Sequence, residues 1–97
     1  MDDIVKLELD KALQSIVNRL TGESKDKAAL IVVDINTVIG SMISDPDNAF
    51  RHEQNLKILY GNLSTLAAIE TKEVRKLVAT TVTNVLNRSL TLLVLSL

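Results

Sequence analysis

Residues 28–43 read AALIVVDINTVIGSMI, and apolar side chains occupy almost every side of this segment if it is wound as a helix. A competing interpretation is a buried strand over residues 30–33, because their mostly β-branched side chains are typical of strands. The three- and four-residue spacing that continues through Val38, Ile39 and Met42 favours a helix. The chain also offers few segments that could serve as partner strands. We therefore predict a helix over residues 25–43, with Ser24 as its N-cap, and an all-α protein.

The few polar residues of this second helix follow one narrow stripe. Asp34, Thr37, Ser41 and Ser44 recur along it at a spacing of three to four residues. A helix with so little polar surface is usually buried centrally or in a subunit contact. Asp34 is either a buried functional carboxylate or a solvent-facing member of the polar stripe, and we expect the exposed position.

A first helix is predicted over residues 3–20. Asp2 or Asp3 can cap its start, and Thr21-Gly22 ends it because Gly22 suits the left-handed position after a helix. Its apolar residues form one stripe at helical spacing: Val5, Leu9, Ala12, Leu13, Ile16, Val17 and Leu20.

A third helix is predicted from Pro46 towards Ile69. Pro46 cannot continue the helix before it, but it suits the first position of the next one, with Asp45 as N-cap. Gly61-Asn62 is a point at which this helix ends early or bends. The apolar stripe comprises Ala49, His52, Leu56, Leu59, Tyr60, Leu63, Leu66 and Ala67.

A fourth helix is predicted from Thr71, its N-cap candidate, towards the C-terminus. One face carries Val74, Val78, Val82, Val85, Leu92 and Leu93. The other face is polar but uncharged, with Thr80, Thr83, Asn84, Asn87 and Thr91. No charged residue follows Arg88 in the sequence, and residues 90–97 are too apolar for a freely solvated tail.

These four segments are joined by short connections, which favour antiparallel neighbours. We expect a single helical domain over residues 1–97, built as an antiparallel bundle of about four helices. Two ways of completing the helical core remain open at this point. The four helices complete one core by themselves, or two helical hairpins are completed by a second copy.

The composition restricts the classes of function. The chain has 97 residues, 46% hydrophobic content and a net charge of −1, which is typical of one globular domain rather than of a strongly basic nucleic-acid binder. It has no cysteine, which excludes disulfides and thiolate metal sites. The N-terminal Met-Asp-Asp lacks the basic and apolar regions of a secretory signal, so we expect a cytoplasmic location.

No catalytic motif is present. His52 precedes Glu53, but the second histidine of a zinc-protease helix would stand where the chain has Leu56. Residues 45–48 resemble the start of a calcium loop, but Phe50 and Leu56 occupy the positions that require Gly and Glu. We predict no catalytic residue, no metal site, no cofactor and no enzymatic activity, and we expect His52 at the edge of a helix face.

We predict instead that the protein acts through protein–protein association, as a homo-oligomeric structural or adaptor component. Its partner is another copy of itself or a different protein. The candidate interface residues lie at the C-terminal end: Leu90, Leu92, Leu93, Val94, Leu95 and Leu97. The same residues complete an internal core if the bundle closes on itself.

Two further partners are less favoured. Residues 77–97 are long enough to span a membrane, but Arg88 would lie in the middle of the span, where a charge is expensive. Weak contact with nucleic acid is the other alternative, through phosphate binding by the basic residues of the fourth helix, Lys72, Arg75, Lys76 and Arg88.

Overall fold

The protein is described by a computed structural model that covers the backbone of residues 3–96 and the side chains of residues 6–42 and 44–95. This part of the chain forms four α-helices and no strand: α1 (Asp3–Arg19), α2 (Gly22–Ser44), α3 (Ala49–Leu66) and α4 (Lys72–Ser96). Short 3-10 turns at Pro46–Asn48 and Ala67–Ile69 extend α3 at both ends. The prediction of an all-α helical bundle is confirmed, and the strand interpretation of residues 30–33 is wrong.

The helices form a closed antiparallel ring. Each helix packs against its neighbours along the chain, α1 packs against α4, and α2 and α4 stand at diagonal corners where they touch across the centre. Polar contacts tie α1 to the α4 region near both of its ends, from Glu8 to Arg88 and from Thr21 to Glu70. Among the described residues, therefore, one chain completes its own core.

Among the described residues the core is mostly aliphatic, with Tyr60 as its one aromatic hydrophobic side chain. Each helix contributes one stripe at helical spacing, which is the arrangement that the apolar periodicity of all four segments predicts. The buried apolar residues are Leu9, Leu13, Ile16, Val17, Leu20, Ala28, Val32, Ile35, Ile39, Met42, Leu56, Tyr60, Leu63, Ala67, Val78, Val82, Val85, Leu92 and Leu93.

The start of α2 differs from the prediction. The helix begins at Gly22 rather than Lys25, and Thr21 rather than Ser24 stands at the N-cap position, without a side-chain cap bond. Gly22 has a φ of 56°, in the left-handed region that favours glycine, so the chain turns sharply from α1 into α2. The hydroxyl of Thr21 donates instead to the carboxylate of Glu70 at 3.0 Å.

Of the two predicted positions of α2, central burial or a subunit contact, the structure does not show central burial. The helix occupies a corner of the ring, so only one stripe of it faces the core. Leu30 and Val33 point outward and are 68% and 60% exposed. Asp34 and Thr37 lie on the exposed side as well, which confirms the expected exposed position of Asp34.

Gly61 does not end α3, which continues to Leu66. A glycine inside a helix costs about 1 kcal/mol relative to alanine, and packing of the helix overrides this preference. The space beside Gly61 is open, since no heavy atom lies within 4 Å of the position of a Cβ there, apart from its chain neighbours and the nearby backbone of its own helix.

Thr71 caps α4, as predicted, and this cap can be tested. The backbone N–H of Val74 donates to the Thr71 hydroxyl at 3.3 Å. We expect Thr71→Ala to lower the free energy of unfolding by about 1 kcal/mol, because that N–H loses its partner. Chemical denaturation measures the change.

The matched control is Thr80→Ala. The hydroxyl of Thr80 donates to the carbonyl of Lys76 in the same helix, so its loss leaves no donor without a partner. Alanine also has the higher helix propensity, and we expect a change within about 0.5 kcal/mol. Equal destabilisation by the two substitutions would contradict the capping role.

Candidate protein interface

The structure divides the predicted C-terminal interface residues between the core and the surface. Leu92 and Leu93 are buried in the core, with 7% and 5% exposure, and Leu90 is partly buried against it. Val94 and Leu95 face outward, with 66% and 76% exposure. Leu97 lies outside the described residues. The five described residues therefore do not form one continuous surface, and the exposed apolar groups among them are Val94 and Leu95.

Val94 belongs to the outward side of α4, most of which is uncharged. Leu77 lies near its start and Val94 near its end, and both are exposed. Between them, apart from Ala79 and from Arg88 at one edge, the exposed residues are polar and uncharged: Thr80, Thr83, Asn84, Asn87 and Thr91. This surface follows the helix for most of the length of the bundle.

Threonine hydroxyls on this surface are already bonded within α4. Thr80 donates to the carbonyl of Lys76 at 3.0 Å, and Thr91 donates to that of Asn87 at 2.9 Å. Thr83 makes the same kind of bond, to the residue four positions before it. These hydroxyl protons are already bonded inside the helix. The hydroxyl donors would therefore keep their acceptors if an apolar partner covered the surface.

The basic residues of α4 do not form one patch. Lys72, Arg75 and Lys76 are exposed in the first turns of the helix. Arg88 lies several turns further on and contacts Glu8 of α1, with 3.3 Å between the guanidinium and carboxylate atoms. Both side chains of this pair are more than half exposed, so its contribution to stability is small.

A second apolar surface lies between α2 and α3. A groove of about 400 Å³ separates the two helices, and Leu30, Ile31 and Leu66 form its apolar lining. Its polar rim comprises Lys27, Asn62 and Thr65. The sequence pattern indicated excess apolar surface on the second helix, but it did not indicate that α3 would share it.

His52 is buried rather than placed at the edge of a helix face, so that expectation is wrong. Its Nε2 lies 2.7 Å from the backbone carbonyl of Asp45. A carbonyl oxygen only accepts hydrogen bonds, so Nε2 carries the proton and donates. This bond joins α3 to the end of α2, which is a structural role. Among the residues that the structure describes, no three His, Asp or Glu side chains lie close enough together to hold a metal ion.

The core contains one polar pair that the sequence patterns missed. Tyr60 and Ser89 are buried, with their oxygens 2.9 Å apart, and the Ser89 hydroxyl also donates to the carbonyl of Val85 at 2.8 Å. Ser89 has one proton, so in the neutral pair Tyr60 donates to Ser89. Burial raises the pKa of Tyr60 above its usual 10.0, and the Ser89 hydroxyl lowers it by less, because it can turn to donate to the ionised tyrosine.

By length and composition alone, Lys72–Leu95 is the one helix in the described part of the chain that could cross a membrane. A third of its most apolar window is buried inside the bundle, and core helices of soluble proteins meet the same criteria. This property is therefore weak support for a membrane location.

The buried tyrosine predicts a loss of stability at alkaline pH. Between pH 10.0, where an unfolded tyrosine titrates, and the higher pKa of folded Tyr60, the unfolded state has lost a proton that the folded state keeps. The free energy of unfolding therefore falls as pH rises above 10.0. Tyr60→Phe should remove this component, and denaturation at a series of pH values compares the two proteins. Parallel pH profiles would contradict the prediction.

The division of the C-terminal leucines gives a second prediction. Leu93→Ala should destabilise the protein by about 2–5 kcal/mol, because it leaves a cavity in the core. Leu95→Ala should change stability by less than about 0.5 kcal/mol, because that side chain is solvated. Thermal or chemical unfolding at low protein concentration tests both, and an equal loss in the two variants would refute this division.

Comparison with known proteins identifies no relative. No family model, curated protein or solved structure matches the chain. The geometry of the described residues is therefore the basis for a functional proposal.

Proposed function

We propose that this protein is a non-enzymatic structural or adaptor component that acts by binding protein, and in the first place by binding a second copy of itself. One observation carries the proposal. The bundle completes its own core, yet the outward side of α4 from Leu77 to Val94 stays exposed and almost free of charge. Extended surfaces of low charge on small proteins commonly mark interfaces.

The energetics favour such a contact. Burying charged groups at an interface carries a large desolvation penalty unless they are paired, and the outward side of α4 largely avoids that penalty. Its exposed apolar residues Leu77 and Val94 each contribute roughly 1.5–3 kcal/mol if fully buried. Association entropy opposes this gain, so we expect a moderate affinity rather than a permanent complex.

The groove between α2 and α3 supports the adaptor part of the proposal. Leu30 lines this groove, and Leu30 and Val33 are both exposed on α2. Among its polar lining residues, Lys27 pairs with Glu23 at 3.2 Å, and Asp34 is exposed on the same helix. Such a mixed surface is typical of contacts with a different protein, in which opposite charges on the partner complement the rim.

Membrane attachment through α4 is the second candidate, because this helix meets the length and composition criteria for a span. Insertion would remove Val78, Val82 and Val85 from the core and would break the contact of Arg88 with Glu8. A chain that stays in solution without detergent would rule out this alternative.

Light scattering over a range of concentrations tests the proposal. We expect a mass of at least twice 10.6 kDa that falls towards the monomer on dilution. Val94→Lys should weaken self-association at least about tenfold, since it places a charge where roughly 1.5–3 kcal/mol of apolar burial is expected.

Val33→Lys is the matched control, because Val33 and Val94 are 60% and 66% exposed on different helices. We expect it to leave self-association unchanged. If only Val33→Lys weakened self-association, the contact between the two copies would lie on α2 rather than on α4. A concentration-independent mass of 10.6 kDa would refute self-association altogether.

A further inference from the structure

The exposed side of α4 contains a regular stripe of six residues, which we name the α4 stripe. The gaps between its members alternate between three and four residues, the spacing by which helices pair in coiled coils. All six are exposed, so none is used by the core of the bundle. The α4 stripe consists of Leu77, Thr80, Asn84, Asn87, Thr91 and Val94.

The α4 stripe reads the same from both ends in chemical terms. From either direction it gives an apolar residue, a threonine, an asparagine, an asparagine, a threonine and an apolar residue. The spacing is symmetric about the same centre, which lies midway between Asn84 and Asn87. An interface with two-fold symmetry brings one surface against itself, so it requires this kind of self-complementarity.

We propose that two copies of the protein pair through the α4 stripe, with the two α4 helices antiparallel about a two-fold axis between Asn84 and Asn87. This inference rests on the proposed self-association and specifies its geometry. In this register Leu77 of one copy faces Val94 of the other, and Thr80 faces Thr91.

Each pair has compatible chemistry. The apolar residues at the two ends bury against each other. Thr80 and Thr91 present their methyl groups, because both hydroxyls donate to carbonyls of their own helix. At the centre, the side-chain amides of Asn84 and Asn87 each provide a donor and an acceptor, so they can bond reciprocally across the axis. A polar pair at such a position fixes the register of paired helices.

Charge also selects the antiparallel direction. The N-terminal turns of α4 are net basic, because Lys72 and Lys76 stand there with a single acid, Glu73, and the last turn of α4 has no basic residue. Antiparallel pairing places these lysines beside the C-terminal end of the partner helix, whose dipole attracts positive charge. Parallel pairing would place the lysines of the two copies side by side. Arg88 would face Thr83 in the antiparallel register, and no like charges meet.

The dimensions of the bundle suit a contact of ordinary size. Its extents are 39 × 23 × 18 Å, and α4 has 25 residues. One long side of such a body offers roughly the 800 Å² per partner that a stable protein–protein interface buries. Pairing along the whole of α4 would use that side.

Disulfide trapping distinguishes the arrangements, since the natural chain has no cysteine. Thr80→Cys and Thr91→Cys are prepared as separate proteins and oxidised alone and as a mixture. We expect the mixture to form cross-linked dimers at least about tenfold faster than either variant alone. In an antiparallel pair of Thr80→Cys chains, the two introduced thiols are separated by about 16 Å along the helix axis, beyond the reach of a disulfide.

Thr65→Cys is the matched control. Thr65 is exposed on α3 and its hydroxyl also donates four residues back, so it reports random collision. Rapid cross-linking of each α4 variant by itself would show parallel pairing and overturn the inference. A dimer by light scattering without selective cross-linking in the mixture would also overturn it, while leaving self-association intact. A monomeric mass in light scattering would refute both the antiparallel pairing and the proposed self-association.

Discussion

Closure of the ring by α1 and α4 is the contact on which the rest of the structure depends. The two helices are the first and last of the chain, and polar contacts join this region near both ends, from Glu8 to Arg88 and from Thr21 to Glu70. With α1 against α4, the four apolar stripes meet in one core, and the outward residues of each helix are fixed. Which apolar residues remain available to a partner is a direct consequence of this closure.

The sequence was sufficient for the helices and for the centre of each buried stripe. Val78, Val82 and Val85 recur at helical spacing, and all are buried. Periodicity did not predict how wide the buried face of a helix is, because this width depends on how closely the neighbouring helices approach. Leu30 and Val33 of α2 lie outside that width, although their composition resembles that of the core.

In the C-terminal segment, too, apolar composition alone does not distinguish the buried residues from the exposed ones. Four consecutive apolar residues, 92–95, cover every side of the helix. Extending the valine stripe of α4 by its own spacing selects Leu92 and Leu93 and passes through Ser89, so a signal for all three was present. Ser89 was missed because serine is polar, and its partner Tyr60 is on another helix. The apolar stripe of α3 included His52, but its hydrogen-bond partner could not be predicted, because the Asp45 carbonyl belongs to the end of α2.

The diagonal placement of α2 and α4 has a geometric consequence for any assembly. When two bundles meet at α4, their α2 helices lie at the far corners and point away from each other. The dimer would then have two equivalent outer sides, and each would contain the groove lined by Leu30 and Leu66. Such a particle can bridge two partner molecules or hold two sites of one partner, and the second attachment then benefits from a high effective concentration. Each bundle would in this way supply a self-association surface on α4 and one partner-binding groove between α2 and α3.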